Sequence, residues 1–160
     1  MKVCAYVELF KHTGDHYTMP RPGVHQTGQL HLKLRSTFKS MEDAVERTQD
    51  FLDSLDITGD LAYHIVLLTS EALTNAMEHG NQWNADLQAT LEITAEADIV
   101  EVSVTDEGPG FDLSTVGDPI ETENLLKGRG RGLFFMELMA EEVHREAEGR
   151  RLRLVFRRKA

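Results

Sequence analysis

Two alternating runs of residues, joined by a short turn, constrain the fold of this chain most strongly. The runs are "LQATLEIT", residues 87–94, and "IVEVSVTD", residues 99–106, with "AEAD" between them. Apolar and polar residues alternate in each run, as they do in a strand that buries one face. Two such runs separated by a turn are typical of a β-hairpin. We therefore expect an antiparallel hairpin in the second half of the chain.

The segments on either side predict one further strand, three helices and a second hairpin. "QLHLKLRS" alternates like a strand, and "SMEDAVERTQDFLDSL" has a helical apolar face, with Ser40 as the predicted N-cap. A second helix is predicted from Asp60 to about His79, and a third at "LFFMELMAEEV". "VHREAEGRRLRLVFRR" predicts a hairpin around Gly149. Helices separate from antiparallel strands predict the α+β class, as a two-layer sandwich with the helices on one sheet face.

The composition is that of one soluble globular domain. The chain has 160 residues, 41% of them hydrophobic, which suffices for one core but not for two domains. No apolar run reaches the roughly 18 residues of a membrane span, and the N-terminus lacks a signal-peptide pattern. Cys4 is the only cysteine, so no intrachain disulfide is expected. These features favour a cytoplasmic protein with no membrane partner.

The charge distribution argues against direct nucleic-acid binding. The net charge is −10, whereas phosphate contacts require a basic surface. Residues 149–160 contain five arginines, one lysine and no acid, and their simplest interpretation is a solvated strand face. A smaller basic group alternates with glycines in "KGRGRGL", residues 127–133, and predicts an anion site on a glycine-rich turn.

The stretch "SEALTNAMEHGN", residues 70–81, places polar groups on the second predicted helix. Glu71, Asn75, Glu78 and His79 are three or four residues apart, so an α-helix would put them on one face. One interpretation is an ordinary polar helix edge, since single polar residues are common there. In a site, the Asn75 amide can hold one corner of a Mg²⁺ ion, and the Glu71 carboxylate can orient a nucleophilic hydroxyl or water.

Two glycine-rich segments carry chemistry that complements this helix. In "DEGPGF", Asp106 can accept a hydrogen bond from an exocyclic amine, and Gly108 and Gly110 let the main chain approach a flat ligand. In "GRGRGLFFM", free N–H groups at a helix start can bind phosphate. The alternatives are a simple turn and a flexible hinge. Together the segments predict an ATP site whose floor is the second helix, with a lid over residues 112–127.

The segments "EALTNAMEHGN", "DEGPGF" and "GRGRGLFFMELMAEEV" resemble the N, G1 and G2 boxes of the GHKL ATPases. Within that superfamily they most resemble the anti-sigma-factor serine kinases, and the resemblance runs from about Leu30 to Arg157. It implies the Bergerat fold, with a mixed, mostly antiparallel sheet. It also implies a histidine-kinase-like ATPase domain at residues 29–160, preceded by an N-terminal extension of unclear structure at residues 1–28.

The resemblance assigns roles by matching position. Glu71 resembles the catalytic carboxylate, Asn75 the Mg²⁺ ligand and Asp106 the adenine-reading acid. The implied nucleotide contacts are Asn75, His79, Asp106, Gly108, Gly110, Arg129, Gly130, Arg131, Gly132 and Leu133. One region departs from the family, which often has a threonine in the strand after the last turn. This chain has Arg150 and Arg151 there.

The resemblance also implies a function and partners. It implies a protein-serine/threonine kinase that uses ATP and Mg²⁺, releases ADP and regulates transcription as an anti-sigma factor. The implied partners are an anti-sigma antagonist of the STAS fold, which it phosphorylates, a sigma factor, which it sequesters, and a second copy in a homodimer. The alternative is a nucleotide-dependent binding module with little or no kinase activity. A detached histidine-kinase ATPase domain is less favoured, because no dimerisation helix with a phosphoacceptor histidine is expected before it.

Overall fold

A five-stranded sheet and three helices make up the part of the chain that the computed structural model describes, residues 26–109 and 131–158, with side chains from residue 135 onward in the second range. The strands are β1 (Gly28–Arg35), β2 (Gln88–Ala95), β3 (Ile99–Asp106), β4 (Glu142–Glu146) and β5 (Arg151–Arg157), and the helices are α1 (Phe38–Ser54), α2 (Gly59–Thr74) and α3 (Arg131–Met139). A π-helical turn, Asn75–Gly80, continues α2. This architecture confirms the predicted α+β class. The predicted lid, residues 112–127, lies outside the described residues, as does nearly all of the predicted extension.

The strands lie in the order β1-β2-β3-β5-β4. Each of the four pairings between these described strands is antiparallel. Both predicted hairpins are therefore confirmed: β2 with β3, and β4 with β5. The register of the first hairpin places Ala89 opposite Asp106, so the end of β3 lies beside the start of β2.

One face of the sheet packs against the helices and forms the core. Side chains that are at most 2% exposed include Leu91, Ile93, Val102, Val104, Leu154 and Phe156 from the sheet, and Leu52, Ile65, Leu68 and Met136 from the helices. Each such aliphatic side chain stabilises the fold by about 1.5–3 kcal/mol relative to an exposed one. The alternation that predicted the strands thus corresponds to this buried face.

The other face of the sheet is charged. Arg153 donates to Glu101 at 3.1 Å and to Glu146 at 3.0 Å, and Arg151 lies 3.4 Å from Glu92. Partly exposed pairs of this kind contribute little individually. The arginine-rich C-terminal segment is therefore a paired strand face over β5. Arg158 differs because it is only 9% exposed and donates to the carbonyls of Gln26 and Glu96.

The helix boundaries differ from the sequence predictions. Ser40 is not the N-cap of α1: Thr37 has extended backbone angles, and its hydroxyl accepts the Ser40 N–H at 3.2 Å. The helix starts earlier because the chain leaves β1 at Arg35 and needs only two residues to reach this cap. α3 ends at Met139, four residues before its predicted end, because the Glu141 N–H donates to the carbonyl of Val155 and the chain joins the sheet. Among the described helices, none has the length and apolar character needed to cross a membrane.

Candidate functional site

A π-helical turn at the end of α2 shapes one side of the candidate site. The Asn75 N–H donates to the carbonyls of Glu71 and Ala72, so Glu71 and Asn75 are still one α-helical turn apart. Beyond Asn75 the helix widens, and the Asn81 N–H donates to the carbonyl of Ala76, five residues earlier, at 2.8 Å. Single π turns within α-helices occur frequently at functional sites.

The last two of the four polar residues lie on the π turn and differ in exposure from the first two. Glu71 and Asn75 are half-buried, whereas Glu78 and His79 are exposed. The prediction of one common face assumed α-helical spacing through residue 79, and that spacing ends at Asn75. The proposed role of His79 in nucleotide binding stays a prediction.

Asp106 lies where the end of β3 meets the π turn. Alternation along β3 places it on the same sheet face as Val102 and Val104, and it is 9% exposed. Its Oδ1 accepts the N–H of Gly108 at 2.9 Å. The Asp106 carboxylate therefore lies on the helix side of the sheet, at the end of β3 beyond the apolar core.

Two glycines allow the close packing around this carboxylate. A Cβ atom on Gly80 would lie 2.4 Å from Cγ of Asp106, and a Cβ atom on Gly108 would lie 2.1 Å from the carbonyl oxygen of Gly80. Real Cβ atoms do not approach other atoms this closely, so both positions require glycine for steric reasons. The last residue of the π turn, the end of β3 and the loop after it thus meet in direct contact.

Asn81 ties these segments together. Its Nδ2 donates to Oγ of Ser36 at 2.8 Å and to the carbonyl of Gln88 at 2.9 Å, and its Oδ1 accepts the N–H of Glu107 at 2.9 Å. It is 1% exposed. Asn81 was not among the site residues predicted from the sequence, and its place directly after Gly80 was the available signal.

Burial raises the pKa of Asp106, and the Gly108 N–H and the charge of Arg150 offset that rise only in part. An acid whose pKa is higher in the folded than in the unfolded state binds more protons when folded at intermediate pH. Its contribution to stability therefore falls as pH rises from the unfolded to the folded pKa, and the deficit persists at neutral pH. Carboxyl groups whose pKa is shifted by burial are concentrated at functional sites.

Replacing Asp106 with asparagine is expected to raise the melting temperature at pH 7. The amide Oδ1 can still accept the Gly108 N–H, while the cost of burying a charge disappears. The gain should shrink as pH falls through the raised pKa of the wild-type carboxyl group. Thermal unfolding of Asp106→Asn at several pH values tests this, with Asp86→Asn, an exposed acid in the loop before β2, as control. A variant no more stable than wild type at pH 7 would contradict it.

The structure brings together part of the predicted site. Asp106, Gly108 and the π turn meet directly, Asn75 begins that turn, and Glu71 lies one α-helical turn before Asn75. Arg131, Gly132 and Leu133 form the first turn of α3, as expected for a helix start in the G2 box. Gly110, Arg129 and Gly130 lie outside the described residues, so their predicted roles are not tested.

The two arginines at the departure from the family pattern have different surroundings. The Arg150 carbonyl accepts the Asp106 N–H at 2.9 Å, and the side-chain charge partly offsets the rise in the Asp106 pKa that burial causes. The Arg151 guanidinium donates to Oγ of Ser103 at 3.0 Å on the open sheet face. Only Arg150 therefore acts directly on the candidate site.

The donor set fits a nucleotide better than an independently bound metal ion. Within residues 26–109 and 131–158, no group of three or more histidine, cysteine or acidic residues is placed to hold a metal. A Mg²⁺ ion fits if it arrives with phosphate oxygens and waters as its other ligands, because it commonly keeps several waters and takes few protein groups. The Asn75 amide could then serve as the protein ligand. The buried Asp106 carboxylate suits an amine-bearing base.

Comparison with known families gives a match over most of the chain. A family model described as a histidine kinase-like ATPase domain matches residues 34–156. A protein named anti-sigma F factor from Bacillus velezensis is 31% identical over 117 residues, covering 72% of this chain and 80% of that protein. Proteins with the same name from Bacillus subtilis and Geobacillus stearothermophilus are 30% and 29% identical, over 117 and 134 residues. The match to the Bacillus subtilis protein covers 72% of this chain and 80% of that protein. The match to the Geobacillus stearothermophilus protein covers 82% of this chain and 92% of that protein.

A solved structure has a similar fold. The crystal structure of the RsbU and RsbW domains of Rv1364c from Mycobacterium tuberculosis superimposes with a TM-score of 0.55 at 18% identity. The match covers 83% of this chain and 32% of that one, so this chain spans about a third of its length. At this identity the likeness concerns the fold alone, and it agrees with the two-layer arrangement described above.

Proposed function

Because this chain belongs to the histidine kinase-like ATPase family, we propose that it is an ATP-dependent protein-serine kinase that acts as an anti-sigma factor. Its proposed substrate is a serine on an anti-sigma antagonist of the STAS fold. Its second proposed partner is a sigma factor, which it sequesters, and it acts in the cytoplasm, where both partners reside. The name shared by the Bacillus and Geobacillus relatives supports this proposal.

The observation that carries the proposal is the junction at Asp106. A buried carboxylate with a raised pKa lies against Gly80 and beside the loop that begins at Gly108. No side chain in the described ranges donates a hydrogen bond to it. It is therefore suited to accept a hydrogen bond from the amine of adenine, which gives the base an orientation. The half-buried polar pair lies on the adjoining helical segment, with Glu71 on α2 and Asn75 at the start of the π turn.

Two residues of this helical segment divide the proposed chemistry between them. The Asn75 amide would hold the Mg²⁺ ion, and the Glu71 carboxylate would orient the serine hydroxyl of the protein substrate and accept its proton. Bound ATP would supply the phosphoryl group, and ADP would be released. The first turn of α3, starting at Arg131, offers main-chain N–H groups to phosphate oxygens.

The second candidate function is a nucleotide-dependent binding module without useful kinase activity. The observation that favours it is the departure from the family pattern at Arg150, whose carbonyl accepts the Asp106 N–H next to the proposed site. The two candidates share the nucleotide site and differ only in phosphate transfer. A transfer assay therefore separates them.

The experiment uses the full chain, tagged and incubated with lysate of the source cells in the presence of ATP and Mg²⁺ or ADP and Mg²⁺. Mass spectrometry identifies captured proteins, and purified candidates are then assayed for phosphoserine. The proposal expects a STAS-type protein that becomes phosphorylated with ATP. Capture that depends on the nucleotide, without phosphorylation of any captured protein, would instead favour the binding module.

A further inference from the structure

Asn81 uses the whole hydrogen-bonding capacity of its amide nitrogen inside the protein. Both Nδ2 hydrogens are donated, to the hydroxyl of Ser36 and to the carbonyl of Gln88, and Oδ1 accepts from Glu107. Its main-chain carbonyl also accepts the N–H of Asn84 at 3.0 Å. A buried amide that satisfies this many partners holds its neighbours in one arrangement, because each lost bond leaves a buried polar group unpaired.

The partners of Asn81 come from four separate segments of the candidate site. Ser36 follows β1, Gln88 begins β2, and Glu107 follows β3, while the Asn81 N–H itself closes the π turn on Ala76. The bond to Glu107 is the informative one, because this peptide N–H lies between Asp106 and Gly108. Gly108 in turn donates to the Asp106 carboxylate. A single side chain thus fixes the main chain on both sides of the contact between Gly80 and Asp106.

We propose that Asn81 is a positioning residue that aims the Asp106 carboxylate at the nucleotide base by locking the Glu107 peptide to the π turn. This inference rests on the nucleotide site of the proposed function. It adds to that function a specificity determinant that touches no ligand itself. Asn81 acts on base selection through Asp106, whereas Asn75 and Glu71 act on the metal and the nucleophile.

The test compares two nucleotides that differ only at the group Asp106 would read. The full chain is titrated calorimetrically with ATP and with purine riboside triphosphate, which lacks the 6-amino group. A hydrogen bond to a charged acceptor contributes about a tenfold or larger preference for ATP. The ratio of the two affinities is the readout, because a merely destabilised variant loses affinity for both ligands equally and keeps the ratio.

The variant is Asn81→Ala, which can neither accept the Glu107 N–H nor donate to Ser36 or Gln88. The matched control is Asn84→Ala, the same substitution three residues later at an exposed amide that accepts the N–H of Asp86. We expect the affinity ratio to fall several-fold towards one in Asn81→Ala and to stay at the wild-type value in Asn84→Ala. If Asn81→Ala does not fold, Ser36→Ala replaces it, since it removes one acceptor of the amide and should lower the ratio less.

The outcomes distinguish the positioning role of Asn81 from the adenine-reading role of Asp106. A folded Asn81→Ala, or Ser36→Ala in its place, with the wild-type ratio overturns the positioning role and leaves the proposed nucleotide site intact. A wild-type protein that binds both nucleotides equally, or neither, overturns the adenine-reading role of Asp106 and the inference with it. A lowered ratio confined to the variants of Asn81 and Ser36 supports the inference.

Discussion

Replacing Glu71 with alanine is expected to leave ATP binding close to wild type and to slow phosphate transfer by about 10²–10⁴-fold. Glu71 lies one helical turn before Asn75, so its loss leaves the proposed metal ligand in place. It removes the carboxylate that orients the hydroxyl and accepts its proton. Alanine is a good helix former, so α2 should persist. The measurement is single-turnover phosphorylation of the cognate partner, with ATP affinity determined separately.

The matched control for this substitution is Glu78→Ala. Glu78 lies on the same continuous helical segment but is exposed on the π turn. Its removal deletes the same charge from the helix without touching the half-buried pair. We expect wild-type transfer from Glu78→Ala. Transfer at the wild-type rate by Glu71→Ala would show that the catalytic role is wrong, and slow transfer by both variants would point to a general charge effect.

Replacing Gly108 with alanine is expected to destabilise the protein by about 1–3 kcal/mol and to abolish measurable nucleotide preference. The new Cβ atom would lie 2.1 Å from the carbonyl oxygen of Gly80. Main-chain atoms cannot rotate away as a flexible side chain can, so the loop after β3 must move. That movement breaks the Gly108 N–H bond to Asp106. Thermal unfolding and calorimetric titration of the same sample report both effects.

Gly28→Ala is the control for this steric argument. A Cβ atom there would lie 3.2 Å from the ring of Phe51 and 3.4 Å from Leu55, at the far ends of side chains that can adjust. We expect a small change in melting temperature and no change in nucleotide binding. Gly108→Ala with wild-type stability would contradict the close packing of the π turn against the loop.

The sheet could be predicted from the sequence because alternation is a local property of the chain. Leu91 and Ile93, like Val102 and Val104, alternate with polar neighbours, and the face they form is buried as predicted. Asp106 could be placed at the end of its strand by the same pattern. Its position on the helix side of the sheet follows because Asp106 is two residues after Val104, and residues two apart in a strand share a face.

The π turn and the Asn81 hydrogen bonds could not be predicted in this way. The spacing of Glu71, Asn75 and His79 assumes a constant α-helical period, and no local pattern signals the inserted turn. The π turn is held by tertiary contacts, because the Asn81 side chain at its end forms hydrogen bonds to Ser36, Gln88 and Glu107. These three residues belong to other segments of the chain. The N-cap of α1 at Thr37 was missed for a related reason. The position at which β1 ends determines which hydroxyl group can cap the first turn of α1.

The central claim is that the ends of α2 and β3 form a site for ATP with Mg²⁺. Calorimetric titration of wild type and Asn75→Ala with ATP, with and without Mg²⁺, tests it most directly, with the exposed Asn84→Ala as control. We predict that Mg²⁺ tightens ATP binding to wild type and to the control, and that Asn75→Ala loses this effect while retaining weak metal-independent binding. Equal ATP affinity with and without Mg²⁺ in wild type, or full Mg²⁺ dependence in Asn75→Ala, would contradict the claim.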